Sequence, residues 1–542
     1  MHVQLDLSAG AGVAVRSNPT GGEQGDGEEV GKDYENRIAS VVAFFYEGVD
    51  GANSPAATPI QAVASFDCLT ASGGGRRYVT EPVSVMLKSD VAYHVLAVAN
   101  TDPGDWSSRA AGGLTLGDLQ TFIRKKAWVE KPDGGYGDFV MASAKDATLA
   151  VDRTASADNP LTVAVDVERH AVRVDYKAAG SYTCEDPDYK GSRVELLGAA
   201  VVNDLTVGCY LLKRVADDVA ATGGVDFLGK ERPGQGVSQN YVIDPWTHLK
   251  TEANRNGEHF PVDGADRPAA ALYGTYFNSY SDDAADWDRL VQPGEDVGEG
   301  WLRMGYTLEN TADKAHVGKA YSTGVVFKAR FHPVGLDGYT DGETFFAWGK
   351  TVYRTVEDIM RFYWADAAVK FDDFGNRLAA CATWGEVKAL AGGQTPGDPA
   401  GYVKYLQKAV ADKADNGQLV PEERERLQWA AYMQAECGYA LSAEGKVAVD
   451  GGGRNTRKIL EAYGTRVYKD ALCYYTWWVR HSNDGDDSGN GVMEYAVVRN
   501  NIYKLEVKSI YALGETVPRD ENIVVRVYVK NWLVLPEETL EM

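Results

Sequence analysis

From Ile523 to Lys530 the chain alternates. Ile523, Val525, Val527 and Val529 fall on one side, and Val524, Arg526, Tyr528 and Lys530 on the other. A period of two is the mark of a half-buried β-strand. Trp532, Leu533, Val534 and Leu535 extend it with further apolar positions, where a chain end is commonly polar and loose. A weaker alternation stands at the other end: Val3, Leu5 and Leu7, then Val13 and Val15 after a glycine break, then Arg16. Residues 17–36 are Gly-rich, acidic and without periodicity, the composition of a flexible linker. The pattern predicts a short first strand on a soft leash.

Between these ends the signal is mostly strand. "RIASVVAFFYEG" is a strong strand, and "VSVMLKSDVAYHVLAVAN" reads as a hairpin or strand pair. "LTLGDLQTFIRKKAW" predicts a helix, with Thr115 and Asp118 in its first turn and an apolar stripe of Leu119, Phe122 and Ile123. Closely spaced strands follow in "LTVAVDVERHAVRVDY", "RVELLGAAVVN" and "CYLLKRV", which suggests a β-sandwich. Residues 229–240 are glycine-rich and polar and predict a domain boundary. A second β-rich region holds "RMGYTLENT", "GVVFKARFHP" and "ETFFAWG". Residues 355–441 read as helical, with a capping box at Thr383 and Glu386 and a helix start at Pro421, Glu422 and Glu423. Strands resume at "LCYYTWWVRH". The expected division is a first strand at 1–16, a linker at 17–36, an N-terminal sandwich at 37–236 and a C-terminal sandwich at 237–522. The second sandwich would carry a helical insertion at 355–441, and a terminal strand would run from 523 to 542.

At 542 residues the chain exceeds one core, and at 44% hydrophobic residues it has ample material to bury. A net charge of −23 argues against nucleic acid or an anionic membrane surface as partner. No stretch reaches the roughly 18 apolar residues of a membrane-spanning helix. Met1 and His2 lead straight into the strand pattern with no signal peptide, which leaves a cytosolic protein or one that starts after a removed export signal. The six cysteines (Cys68, Cys184, Cys209, Cys381, Cys437, Cys473) include no C-x-x-C pair, so no zinc site is expected. Cys184 with Cys209, or Cys381 with Cys437, could form disulfides in an oxidising compartment; six buried thiols is the other reading.

The chemistry of catalysis is missing from the sequence patterns. There is no H-E-x-x-H, G-x-S-x-G or phosphate-binding glycine loop, and His94, His170 and His481 sit in or beside expected strands as structural residues. No enzyme and no cofactor is expected. "DGDDSGNG" sets Asp484, Asp486 and Ser488 at alternate positions, a weak match to the first half of a calcium loop. Its twelfth position is Tyr495 and its flanks read as strands, so a solvated hairpin loop is the preferred reading and no metal is expected.

The ends then carry the functional clue. An exposed strand with an apolar face templates pairing with other chains, and where it is deliberate it serves strand addition. Burying four or five apolar side chains yields roughly 6–15 kcal/mol gross, against ~10–20 kcal/mol of backbone entropy for ordering about ten residues. Such a strand docks stably only in a preformed groove, and the leashed first strand is the candidate occupant of that groove. An empty apolar groove would aggregate, so the first strand is expected to fill it in the intact chain. The competing reading is that both ends are ordinary edge strands.

Five segments in order, "IASVVAFFY", "YHVLAVAN", "DFVMAS", "VDVERHAVRV" and "AAVVNDLTVGCYLLKR", resemble the N-terminal domain of the type V pilins, the fimbrillin-like subunits of certain anaerobic Gram-negative bacteria. "YTLENT", "VVFKARF" and "FFAWG" continue the likeness. "YKDALCYYTWWVRHSNDGDDSGNGVMEYAVVRNNIYKLEVKSIYALG" is similar to the C-terminal domain of the branch forming the minor-fimbria shaft. The resemblance implies a mostly β protein of two transthyretin-like β-sandwiches. It also implies export through the periplasm to the outer membrane as a lipoprotein precursor, although no lipobox cysteine is visible. Assembly would follow by protease-triggered strand exchange. An Arg-specific protease would cut after Arg16, since Arg37 abuts a strong strand and should be shielded. A neighbour's tail would then fill the groove with Ile523, Val525, Val527, Val529, Trp532 and Val534. Implied partners are copies of the chain itself, anchor and tip pilins, the protease, and host or bacterial adhesion targets. The alternative is an outer-surface lipoprotein that binds glycans through Tyr475, Trp477 and Trp478; their place in an alternating strand favours the core. A polysaccharide hydrolase stands third.

Overall fold

The computed structural model describes residues 1–9, 28–49, 53–72, 77–124, 126–131, 135–205, 208–216, 226–227, 241–246, 294–311, 322–354, 465–481, 494–516 and 523–533. The expected helical insertion at 355–441, Arg16, Val534 and the loop bearing Asp484, Asp486 and Ser488 lie outside them.

The strands that organise the molecule are, in chain order, β1 (His2–Ala9), β2 (Glu28–Val30), β3 (Ser40–Tyr46), β4 (Ile60–Ser72), β5 (Arg77–Thr80), β6 (Val83–Ser84), β7 (Ala92–Ala99), β8 (Met141–Ser143), β9 (Ala147–Ala150) and β10 (Leu161–Arg169). They continue with β11 (Val172–Lys177), β12 (Ser181–Thr183), β13 (Arg193–Val202), β14 (Glu295–Gly298), β15 (Trp301–Thr307), β16 (Gly324–His332), β17 (Leu472–Trp478), β18 (Asn501–Ile510) and β19 (Ile523–Leu533). Among the described residues three short α-helices accompany them: α1 (Asp33–Asn36), α2 (Pro103–Ala111) and α3 (Leu116–Thr121). The chain is mostly β, as its patterning predicts.

β1 and β3–β10 make a nine-stranded sheet. Its pairings run β8–β10–β1–β5–β4–β3–β7, and β7 also pairs with β8, so the path closes on itself. β3 reads as a continuous apolar run because both its faces are buried. Val41, Ala43 and Phe45 point into the core enclosed by the sheet, and Val42, Phe44 and Tyr46 into a second layer beneath α2 and α3. Each helix is fixed by its own sequence. Asp102 caps α2, accepting from the Gly104 N–H at 2.9 Å, with Pro103 in the first turn. The expected box between Thr115 and Asp118 starts α3: Asp118 N–H donates to Thr115 Oγ1 at 3.2 Å and Thr115 N–H to Asp118 Oδ2 at 2.8 Å. The helix is shorter than its apolar stripe predicts. It stops at Thr121, and Ile123 stands 43% exposed in a two-residue strand paired with Cys209–Tyr210.

The second sandwich faces two sheets together, β2–β19–β18–β11–β15–β14 and β12–β13–β16–β17. Val174, Tyr503, Leu505 and Val525 from the first sheet meet Val194, Phe327, Phe331 and Tyr475 from the second in one apolar core. β11 and β13 both lie within the expected N-terminal sandwich, yet they pair with β15, β18 and β16. The chain therefore first crosses between sandwiches at Arg169–Val172, upstream of the boundary that glycine content predicts near 236, and it packs against the first sandwich again at Leu205, Cys209, Leu211 and Leu212. The crossing has no polar linker because β10 and β11 are nearly continuous strand.

Candidate functional site

β1 sits in the middle of its sheet, with both edges occupied. It pairs in parallel with β10 from Val3↔Leu161 to Ala9↔Val167, and antiparallel with β5 and β6 on the other side. Val3, Leu5 and Leu7 are completely buried in the core. Burying three such side chains is worth roughly 5–9 kcal/mol gross. The groove is also shaped for polar atoms. Between β5 and β6 the ladder breaks at Glu81 and Pro82, and Thr80 fills the gap: its Oγ1 accepts the Leu5 N–H at 3.0 Å and its carbonyl accepts Gln4 Nε2 at 2.8 Å. Val85 N–H donates to the Met1 carbonyl at 2.7 Å, and Ser8 Oγ donates to Asp166. The first strand thus fills its groove in the intact chain, as expected. It is also the link that closes the circuit of strands: without it β10 and β5 each present a bare edge to an apolar cleft.

β19, the expected donor strand, lies in the structure within its own sandwich. It pairs antiparallel with β18 from Asn501↔Asn531 to Ile510↔Ile523, with a bulge between Val507 and Ser509, and in parallel with β2 at its outer edge. Val525 is 6% exposed, and Val527 and Val529 pack beside it on the second core. Trp532 pairs through its backbone with Glu29. The tail therefore packs on its own domain in this structure.

A buried polar junction ties residues 28–36 to both sandwiches, which corrects the expected linker at 17–36: its second half forms β2 and α1, with Glu35 and Asn36 buried. Glu35 is fully buried at α1 and accepts from Arg173 Nη1 at 3.2 Å and from the Tyr306 hydroxyl. Arg173 also makes a two-pronged bond to Asp175, at 2.9 and 2.7 Å, and reaches Glu29 at 2.9 Å. Burial alone would weaken the proton's hold on Arg173; Asp175, Glu35 and Glu29 more than offset it and keep the guanidinium charged. Arg169 donates to Asn36 Oδ1 at 2.6 Å and to the Glu35 carbonyl at 3.0 Å. Sequence reasoning missed this junction, because its members are far apart in the chain and none stands in a motif. Arg37 follows directly. Its side chain is exposed, which corrects the expected shielding; its backbone is held instead, with Asn100 Nδ2 donating to the Arg37 carbonyl at 2.8 Å.

The other candidates resolve into structural roles. Tyr475 is buried, accepts the Gly514 N–H at 3.1 Å and donates to the Ala512 carbonyl at 3.0 Å. Trp478 is buried, and Trp477 packs half-buried on the second core under the Arg480 guanidinium. These aromatics are core rather than a glycan platform. His94 pairs with Asp146 at 2.5 Å, and His481 bonds the Tyr503 hydroxyl at 2.7 Å. Buried His170 lies 3.4 Å from Cys209 Sγ, but burial lowers the pKa of the imidazole and raises that of the thiol to about 12, so neither is charged for catalysis. Cys184, Cys209 and Cys473 are free and buried. Cys184 and Cys209 belong to different cores, which excludes their pairing here. Among the described residues no group of three or more His, Cys, Asp or Glu is placed to hold a metal, and no helix is long and apolar enough to cross a membrane.

Comparison with known proteins places these features in context. Residues 466–537 match the family model described as the major fimbrial subunit protein type IV, fimbrillin, C-terminal. That span contains β17, β18 and β19. Solved structures that align along most of the chain include a fimbrilin from Porphyromonas gingivalis, 13% identical, covering 99% of each chain at a TM-score of 0.36. A candidate cell adhesion protein from Parabacteroides distasonis is 12% identical, covering 99% of this chain and 98% of its own, also at 0.36. A tip fimbrial protein from Porphyromonas gingivalis is 11% identical over 98% of this chain and 99% of its own, at 0.33. No curated protein sequence matches. The C-terminal region of the chain, residues 466–537, is thus similar to the C-terminal domain of the fimbrillin family.

Proposed function

We propose that this chain is a fimbrial subunit that polymerises by donor-strand exchange, as a shaft subunit of a type V pilus on the cell surface. A protease specific for arginine cuts the leash after Arg16, β1 leaves, and the tail of a neighbouring copy takes its place. The observation that carries this reading is the position of β1. It is a leashed terminal strand, yet it occupies the centre of a sheet, with Val3, Leu5 and Leu7 fully buried. The tail offers the same alternation in Val525, Val527 and Val529, so it can fill the same three apolar positions. In this reading the cis position of β19 is the resting state, and exchange requires it to leave β18. Export as a lipoprotein precursor, anchor and tip pilins as neighbours, and adhesion to host or bacterial surfaces complete the proposal. The domain scheme of a removable strand, a linker, two sandwiches and a donor tail goes with it, with the crossover moved to Arg169–Val172.

The test is trace digestion of the purified monomer with a trypsin-like protease, followed by intact mass and negative-stain microscopy. A single cut after Arg16 followed by filaments is the expected result. A cut at Arg16 that leaves a stable monomer would show that β1 is not the gate.

A further inference from the structure

We propose that Glu29 straps the C-terminal strand into its own sheet, so that the tail stays held after β1 is removed. The functional weight of this rests on the strand-exchange reading above. In the sheet, β2 lies at the edge, β19 next to it, then β18 and β11. β2 touches β19 through three residue pairs, Glu28↔Asn531, Glu29↔Trp532 and Val30↔Leu533. A parallel ladder that short holds little by itself. Its strength comes from the Glu29 side chain, which reaches past β19 to the strands beyond it. One carboxylate oxygen lies 2.9 Å from Arg173 Nη2 on β11, and the other 2.5 Å from Lys504 Nζ on β18. The ion pairs thus join strands on opposite sides of β19.

The strap has its own foundations. Asn36 Nδ2 donates to the Gly31 carbonyl at 2.7 Å, Arg169 holds Asn36, and Arg173 holds Glu35. All of these lie downstream of Arg16. A cut there releases β1 and leaves residues 28–36 in place. Removal of β1 opens the acceptor groove, while the donor tail is governed separately, by Glu29. A cavity of about 500 Å³ borders the strap, and the Glu29 side chain is 20% exposed. Water therefore reaches the carboxylate, and the strap can open without exposing the core of the second sandwich.

The experiment is hydrogen exchange read by mass spectrometry on the intact, uncut chain, comparing wild type with Glu29→Gln. Peptides covering 523–533 report the strap, and peptides covering 193–202 in the facing sheet report global stability. Glu29→Gln leaves Lys504 without its carboxylate, so exchange in 523–533 is expected to accelerate by at least about tenfold while 193–202 is unchanged. After cutting at Arg16, the variant should form filaments faster than wild type. Unchanged exchange in 523–533, or an equal acceleration in both regions, overturns the strap. Lys504→Gln removes the same contact from the other side and carries the test if Glu29→Gln does not fold. Faster exchange in a variant that forms no filaments, beside a wild type that also forms none, upholds the strap and removes the strand-exchange reading. Filaments at equal rates with equal exchange do the reverse.

Discussion

Arg499 Nη2 lies 2.7 Å from Glu309 Oε2, and both side chains are fully buried. The same guanidinium donates to the Tyr210 carbonyl at 2.8 Å, tying a residue just before β18 to a segment whose next two residues, Leu211 and Leu212, pack under the first sandwich. Removing one partner leaves a charge stranded in the interior. Glu309→Ala should cost about 3–5 kcal/mol, whereas Glu309→Leu with Arg499→Met should restore much of the loss. Urea denaturation of the three proteins checks both.

Leu5 is fully buried at the centre of β1. Leu5→Ala should lower stability by about 2–5 kcal/mol, from lost burial and the cavity left behind. The readout is the denaturation midpoint of the uncut chain. A loss under about 1 kcal/mol would show that the groove collapses around a smaller strand.

Gly514 approaches the β17 backbone so closely that an added Cβ would stand 2.6 Å from the Tyr474 carbonyl and 2.9 Å from the Tyr475 ring. Neither is a flexible tip that can yield. Gly514→Ala should cost about 1–3 kcal/mol and weaken the bond from the Gly514 N–H to the Tyr475 hydroxyl. Differential scanning calorimetry and the near-ultraviolet signal of Tyr475 and Trp478 would register it.

Burial holds the thiols of Cys184, Cys209 and Cys473 neutral and raises each from an ordinary value of 9.0 to about 12. The folded chain keeps these protons over a range where the unfolded chain gives them up. Their contribution to stability is complete below about pH 9 and is lost as pH rises towards about 12. The urea midpoint should therefore fall between about pH 8 and pH 10.5. Iodoacetamide near pH 8 should leave all three unlabelled until the protein is unfolded; ready labelling in the native state would contradict their burial.

Local chemistry was legible in the sequence wherever its partners are local. Thr115 and Asp118 cap α3 as their spacing predicts, the run in β3 is buried on both faces, and the alternation of Val3, Leu5 and Leu7 marks a real strand. What the sequence conceals is pairing at a distance. Nothing in β1 says that it runs parallel to β10, and nothing near Arg169 marks a change of sandwich, because strand periodicity does not name a partner. The buried junction escaped for the same reason: Arg173 and Lys504 each read as ordinary polar positions of alternating strands, and Glu29 fell in the stretch read as a flexible linker. Ile123 misled because a helical stripe ignores where the helix stops. The resemblance stated from the C-terminal sequence was informative, since residues 466–537 carry the family match.

The partners in the β1–β10 ladder are separated by 158 residues, as in the bond between Ser8 and Asp166. During synthesis the first strand emerges early and waits until β10 has been made before its main ladder can form. Closing so long a loop is slow, and it comes after the local hairpin of β3 and β4 has had time to form. The strand proposed to be discarded at assembly is thus stitched in after its local neighbours, and before the β11–β18 and β2–β19 ladders, whose partners lie farther apart still. Once it is cut away, no short route back exists for the detached piece. The opened subunit then persists for as long as its barrier to unfolding allows, so its lifetime before meeting a partner is a matter of rate rather than of equilibrium.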